Sequence, residues 1–393
     1  MVTLKARKGK RKGKVLVAMS GGVDSSVAAL NLHREGYDVI GVTMKLFCYG
    51  DIQRSGGMRT CCSVESARAA AAVAETIGIP HTVIDMEKEF KHEVLRNFFE
   101  EYSKGRTPNP CVLCNSKLKF FHLLKRGIEL GAQYIATGHY ARIGISEKGG
   151  KIRYSLKKAI DREKDQSYFL WEMNQDVLAH TLFPLGKLSK AEVREIAKGA
   201  GLHVAESPES QDFCFLPMEK LVGTGLADAL LDELGIQTEA TTAGPIVDTR
   251  GERIGTHRGI AYFTTGQRRG LGLALGRPAY VVRIEPETNT LVVGFEEDLR
   301  VRRFSVEDVN WISGQTPGSS VTCHVKVRSR SEEIPATICP TGIDSAVIEL
   351  HESKKAVTPG QSTVWYEGSE LIGGGIINKT VLLQESMAES SKR

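Results

Sequence analysis

Two cysteines three apart, Cys111 and Cys114, close the stretch "TPNPCVLCN" at 107–115, and a third thiol, Cys214, follows in "ESPESQDFCF". A CxxC in a reducing compartment is half a zinc site, a dithiol redox pair or a cluster ligand set. A zinc knuckle needs a second pair, and only His122 follows nearby. A thioredoxin-type pair would open a helix directly after a strand. Pro108 and Pro110 instead fix a rigid loop, and a helical pattern starts just beyond it at 117–131. The positive end of that helix favours thiolate, which makes Cys114 a candidate nucleophile. Phe213 and Phe215 flank Cys214, so it reads equally as a core thiol or as part of a mobile loop. Cys48, Cys61 and Cys62 read as structural, and Cys323 and Cys339 as core residues of β segments.

A second chemistry resides in "AMSGGVDSS", residues 18–26. It follows the apolar run "KVLVAM" and precedes a helical pattern, the place where α/β folds bind ligands. Gly21 and Gly22 let backbone amides approach an anion, and Ser20, Ser25 and Ser26 add hydroxyl donors. The helix start turns its positive end to the same point. Ala18, Met19, Ser20, Gly21, Gly22, Val23, Asp24, Ser25 and Ser26 are therefore candidates for phosphate binding. Neither GxxxxGK[ST] nor GxGxxG is present.

These sites need a scaffold. Strand patterns at 14–19, 37–44, 81–86 and 132–140 alternate with helical patterns at 64–78, 94–105, 117–131 and 190–202. That rhythm predicts a doubly wound parallel sheet. After about residue 220 short alternating segments split by Gly and Pro predict β structure closing as a small barrel. The expected division is a basic arm at 1–13, an α/β domain at 14–217, a small mixed domain at 218–300, a barrel at 301–386 and a tail at 387–393.

The 393 residues are 41% hydrophobic and 25% charged, an ordinary globular balance. No apolar run is long enough to span a membrane, and the N-terminus lacks the h-region of a signal peptide. A cytoplasmic protein is expected, with eight cysteines kept reduced. The net charge is +5, but bases cluster at 5–14 and in "RGERIGTHRGIAYFTTGQRRG", a basic, aromatic-interleaved stretch suited to a phosphate backbone.

The string SGGVDSS resembles the pyrophosphate loop of the ATP-pyrophosphatase superfamily. That resemblance implies ATP as cosubstrate, Mg²⁺ held through Asp24, and an adenine pocket near Met44 and Gly138. Together with "TPNPCVLCN", "GHYAR", "KDQSYFL", "ESQDFCF" and "TTGQRRGLG", in order along the chain, it resembles the tRNA-specific 2-thiouridylases. The family's fold is an adenine-nucleotide α-hydrolase-like parallel-sheet domain, a central mixed domain and a C-terminal β-barrel. The resemblance implies adenylation of O2 of the wobble uridine (U34), then sulfur delivery to C2 with release of AMP. It makes Cys114 the nucleophile and Cys214 the persulfide carrier, with product released as the two form a disulfide. It implies tRNA contacts at Asn109, Pro110, Cys111, His139, Lys164, Asp165, Gln166, Gln361 and, in the barrel, Arg328, Ser329 and Arg330. Many members carry Asp where this chain has Cys111. Three thiols, Cys111, Cys114 and Cys214, are also the ligand set of a [4Fe–4S] cluster with one open iron, the competing sulfur route. A sulfur-donor protein and a monomeric state are expected as well. A non-catalytic RNA-binding or cluster-carrying protein is the alternative of a different class.

Overall fold

The computed structural model describes residues 12–46, 64–207, 234–236 and 238–382. Cys48, Cys61, Cys62, Cys214, most of the basic arm and the C-terminal tail lie outside the described residues. The described residues form two compact units, one of 12–90 with 114–207, the other of 91–113 with 234–382.

The first unit is built on a five-stranded sheet in the order β3-β2-β1-β4-β7. β1 (Lys14–Ala18), β2 (Asp38–Lys45), β3 (His81–Asp85), β4 (Tyr134–Ala136) and β7 (Thr181–Leu182) all run parallel. Val15, Leu16 and Val17 of β1 are fully buried, as expected of a β-branched central strand covered on both faces. Helix α1 (Val23–Arg34) sets Val27, Ala28 and Leu30 into the same core as Val15 and Val17. The helix Val64–Ile77 stops at Gly78, as the sequence pattern requires. The helix Lys190–Gly199 starts with a capping box between Ser189 and Glu192. A hairpin of β5 (Ala141–Lys148) and β6 (Lys151–Lys158) completes the described strands of this unit.

The second unit contains two sheets. β8 (Gly244–Val247), β9 (Arg253–His257), β10 (Tyr280–Glu285) and β11 (Thr290–Gly294) make a mixed sheet ordered β10-β11-β8-β9. β12 (Arg300–Trp311), β13 (Val321–Lys326), β14 (Ile334–Pro340), β15 (Ala346–Lys355), β16 (Ser362–Glu367) and β17 (Glu370–Leu382) follow. They pair antiparallel as β12-β15-β14-β13-β16-β17, and β17 returns to β12, closing a six-stranded barrel. Closure leaves these six strands without an open edge, and alternate residues such as Phe304, Val325, Ile348 and Trp365 fill the interior.

Residues 91–113 lie inside the stretch that the strand–helix rhythm reads as one α/β domain, yet they pack with the second unit. Phe98 and Phe99 of the helix Arg96–Ser103 are buried, and Arg96 donates to the Leu234 carbonyl at 2.8 Å. Periodicity gives the helix but not its partner, because an apolar face does not name what covers it.

Candidate active site

In the first unit, the chain leaves β1 and turns at Gly21, φ +73°, into α1. The turn is tied by its own serines. The Ser20 amide donates to Ser25 Oγ at 3.1 Å, and Ser26 Oγ donates to the Gly22 carbonyl at 2.8 Å. Gly22 is the N-cap of α1 and supplies no side chain to it. The first amides of the helix thus have no capping side chain, which suits an anion. Gly138, beyond β4, lies against this helix start: a Cβ there would stand 2.7 Å from the Ser25 nitrogen, so only glycine permits the approach. Met44 is buried at the carboxyl end of β2 beside Ile84.

Asp24, in the first turn of α1, is the most heavily engaged acid here. Tyr140 donates its hydroxyl to Asp24 Oδ1 at 2.7 Å, and Lys190 Nζ lies 2.7 Å from both carboxylate oxygens. The Lys190 ammonium also sits 5.9 Å from the Tyr140 ring centre. Lys190 is the first residue of its helix, and its backbone amide donates to Asp161 Oδ2 at 2.9 Å. The loop carries no lysine of its own; one arrives from 166 residues away. The sequence pattern showed only a helix start there.

From Asp24 a series of hydrogen-bonded residues runs to Asn115, the neighbour of Cys114. The Tyr140 amide donates to Gln166 Oε1 at 3.0 Å, and the Gln166 amide donates to the Tyr140 carbonyl at 2.9 Å. Gln166 opens the short turn Ser167–Leu170, whose Phe169 carbonyl accepts from Asn115 Nδ2 at 3.3 Å. Asn115 is buried, with its Oδ1 unpartnered, and directly follows the buried Cys114. The segment Cys114–His122 is π-helical, a wide winding that is rare and concentrated at functional sites. Asp165 is absorbed internally: its Oδ1 accepts from the Ala159 amide at 2.9 Å and its Oδ2 from Ser167 Oγ at 2.8 Å. Lys164 is half-buried. The His139 ring is buried between Phe120 and Phe183, and its Nδ1 lies 2.6 Å from Thr137 Oγ1. Burial, with Lys119 nearby, holds it well below the usual imidazole range, so it is neutral.

In the second unit, Cys111 is half-buried in the turn Pro110–Leu113, and Pro110 is buried. The loop before it meets two distant segments, one of which is tied in turn to Arg328. Gln361 Nε2 donates to the Thr107 carbonyl at 2.7 Å. Thr107 Oγ1 donates to Thr264 Oγ1 at 3.3 Å. Arg328 Nη2 donates to Thr358 Oγ1 at 2.6 Å, and the Gln361 amide donates to the Thr358 carbonyl at 3.2 Å. Thr107, Arg328 and Gln361, far apart in sequence, are thus linked through one network, while Asn109 lies two residues further along the loop with its buried Oδ1 unpartnered. Ser329 is half-buried and Arg330 exposed beside it, as are Arg268 and Arg269 after Thr264. Cys323 is buried in the barrel core, which pushes its thiol up to about 12 and leaves it inert.

Among the described residues no three His, Cys, Asp or Glu side chains group as a metal site. Of the three thiols singled out by sequence, Cys111 and Cys114 are described and Cys214 is not.

Three family models cover the chain: a "tRNA methyl transferase HUP domain" at 13–218, a "tRNA methyl transferase PRC-barrel domain" at 236–295 and an "Aminomethyltransferase beta-barrel domain" at 301–377. A protein of Pelotomaculum thermopropionicum named tRNA-specific 2-thiouridylase is 43% identical, covering 94% of this chain and 98% of its own. Its namesake from Clostridioides difficile is 43% identical over 94% of this chain and 99% of its own, and that from Solibacter usitatus 44% over 92% and 98%. A solved 4-thiouridine synthetase–RNA complex with bound ATP shows 19% identity and a TM-score of only 0.33, covering 56% of this chain and 53% of its own.

Proposed function

The chain belongs to the family of tRNA-specific 2-thiouridylases, and from that premise we infer how its residues carry out ATP-dependent thiolation of a tRNA uridine. The observation that carries the reading is the uncapped start of α1 with Lys190 held beside Asp24. A methyl transfer, which two of the domain descriptions name, has no use for a phosphate cradle or for paired thiols. Adenylation followed by sulfur transfer uses both.

Residues 18–26 take the ATP phosphates, with Met44 and Gly138 near the adenine. Uracil O2 attacks the α-phosphorus and pyrophosphate leaves. The first amides of α1 and the Lys190 ammonium offset the charge of that leaving group, and Tyr140 and Asp24 orient Lys190. Mg²⁺ would be held through Asp24 in exchange for part of its contact with Lys190, and there it would neutralise the triphosphate. In the second step a persulfide on Cys214 attacks C2 and expels AMP. The Cys114 thiolate then attacks the Cys214 sulfur, forming a disulfide and freeing the thiolated base; a cellular reductant restores both thiols. Asn109, Pro110 and Cys111 meet the base. Lys164, Arg328, Ser329 and Arg330 face the tRNA backbone, while Asp165, Gln166 and the buried His139 act by holding the turn behind Tyr140.

The second reading is a [4Fe–4S] cluster held by Cys111, Cys114 and Cys214, favoured by a thiol at 111 in place of the Asp that the family resemblance implies for many members. We also read 14–217, 218–300 and 301–386 as the three domains, and the protein as a cytoplasmic monomer served by a sulfur-donor protein. No helix among the described residues is long and apolar enough to cross a membrane.

The test is incubation with tRNA, ATP and a sulfur donor: a persulfide or other sulfane-sulfur carrier for the Cys214 route, sulfide for the cluster route. Thiolated uridine together with AMP is expected. AMP without thiolation would point to another ATP-pyrophosphatase synthetase. RNA binding with neither product would make the chain a binding module. Iron analysis after anaerobic purification, with Cys111→Asp alongside, separates the two sulfur routes.

A further inference from the structure

Thr107–Pro110 must be stiff if Cys111 is to meet a base in one geometry, yet two prolines cannot fix where the loop points. We propose that the barrel turn Pro359–Gly360–Gln361 is a clamp that positions the thiol loop, so that Gln361 is a positioning residue for sulfur transfer. The proposal rests on the reading of 109–111 as the segment that meets the base.

Two polar groups of this turn, the Gln361 side-chain nitrogen and the Pro359 carbonyl, bond the loop. Gln361 Nε2 donates to the carbonyls of Thr107, at 2.7 Å, and Pro108, at 3.4 Å. The Thr107 amide donates to the Pro359 carbonyl at 2.9 Å. Gly360 lies between these bonds with φ +88°, and a Cβ there would stand 2.7 Å from the Thr107 nitrogen. The approach is thus as close as backbone permits, and only glycine allows it. The turn is itself anchored in the barrel, since Gly360 donates to the Ile377 carbonyl at 2.8 Å and Ile377 donates to the Gln361 carbonyl at 2.9 Å. On the other flank Arg106 lies 2.6 Å from both Glu101 and Glu307 of β12. An amide whose two hydrogens serve two loop carbonyls has no donor left for a phosphate. The residues between the clamp and the thiol are Asn109 and the buried Pro110, so little slack separates the two.

The test uses the full chain with Gln361→Met, which removes the donors at similar size, and Gln361→Glu, which sets a carboxylate against two carbonyl oxygens. Alkylation of Cys111 by iodoacetamide, read by mass spectrometry, reports the loop directly; Cys339, half-buried on β14, is the internal control. Cys111 is expected to react at least about fivefold faster in both variants with Cys339 unchanged, because freeing a local segment exposes only that segment. At saturating tRNA, kcat for thiolation should fall about ten- to a hundredfold, more in the Glu variant, with KM for tRNA nearly unchanged. A raised KM at constant kcat and constant Cys111 reactivity would make Gln361 a tRNA contact and overturn the clamp. Faster alkylation of both cysteines, or of Cys111 without loss of kcat, would overturn it too. If the unaltered enzyme thiolates nothing, the functional reading fails, and the alkylation arm still judges the clamp.

Discussion

The nucleotide loop and the thiol loop are both short, Gly/Ser- or Pro-rich and polar, but they are held in opposite ways. Ser20, Gly22, Ser25 and Ser26 bond one another across three to five residues. The thiol loop bonds Thr264 across 157 residues and Gln361 across 254. The turn of the first loop is tied by its own serines, although Asp24 is reached from 116 and 166 residues away; the thiol loop draws its side-chain bonds from distant segments alone. Local hydrogen bonding can be read from spacing, whereas a loop fixed from afar shows only its stiffness.

Four experiments would sharpen or break that contrast. The largest effect is expected from Asp24→Asn, which loosens Lys190: pyrophosphate release should fall by about 10²–10³, the scale for losing a preorganised charge contact, with tRNA affinity within about twofold. Loss of RNA binding in this variant would mean that the role of Asp24 reaches beyond the nucleotide loop. Gly138→Ala pushes a methyl group into the Ser25 amide, and should displace α1 and cut ATP turnover at least tenfold by about 1 Å of misplacement. Gly360→Ala tests the other loop by stability: strain at positive φ plus the clash should cost about 1–3 kcal/mol in urea unfolding. An unchanged midpoint would mean the barrel turn yields easily. The smallest effect concerns pH. The folded imidazole of His139 lies well below its unfolded pKa, so between the two values the unfolded chain binds more protons. Stability from this group is full above about pH 6.5 and is lost as pH falls, by at most about 1.4 kcal/mol per pH unit. Urea midpoints at pH 7.5 and 5.5 should separate in the native chain and converge in His139→Asn.

β1, β2 and β3 and the Gly78 stop were legible because β-branched runs, helical spacing and a terminal glycine are local signals. β7 was not: Thr181–Leu182 is two residues long, and only pairing with β4 makes it a strand. The helical pattern at 117–131 held, but its first half winds as a π-helix from Cys114, a register that no periodicity reveals. Asp24 was legible as a charged residue in a phosphate loop. Lys190 and Tyr140 were not, since each looks like an ordinary helix or strand-end residue until the fold brings it to Asp24. The parallel sheet, the mixed sheet and the closed barrel follow the order their patterns predict.

The placement of 91–113 with the later part of the chain has a consequence for synthesis. A ribosome working at 5–20 residues per second needs roughly 13–50 s to travel from Thr107 to Gln361. Once Lys190 has followed, the nascent protein has every residue of its phosphate-binding turn but still no template for the cysteine-bearing segment. A product truncated ahead of β16 keeps the first loop and never acquires the second. Capacity to activate and capacity to deliver sulfur therefore mature in sequence, and only a nearly finished polypeptide holds both.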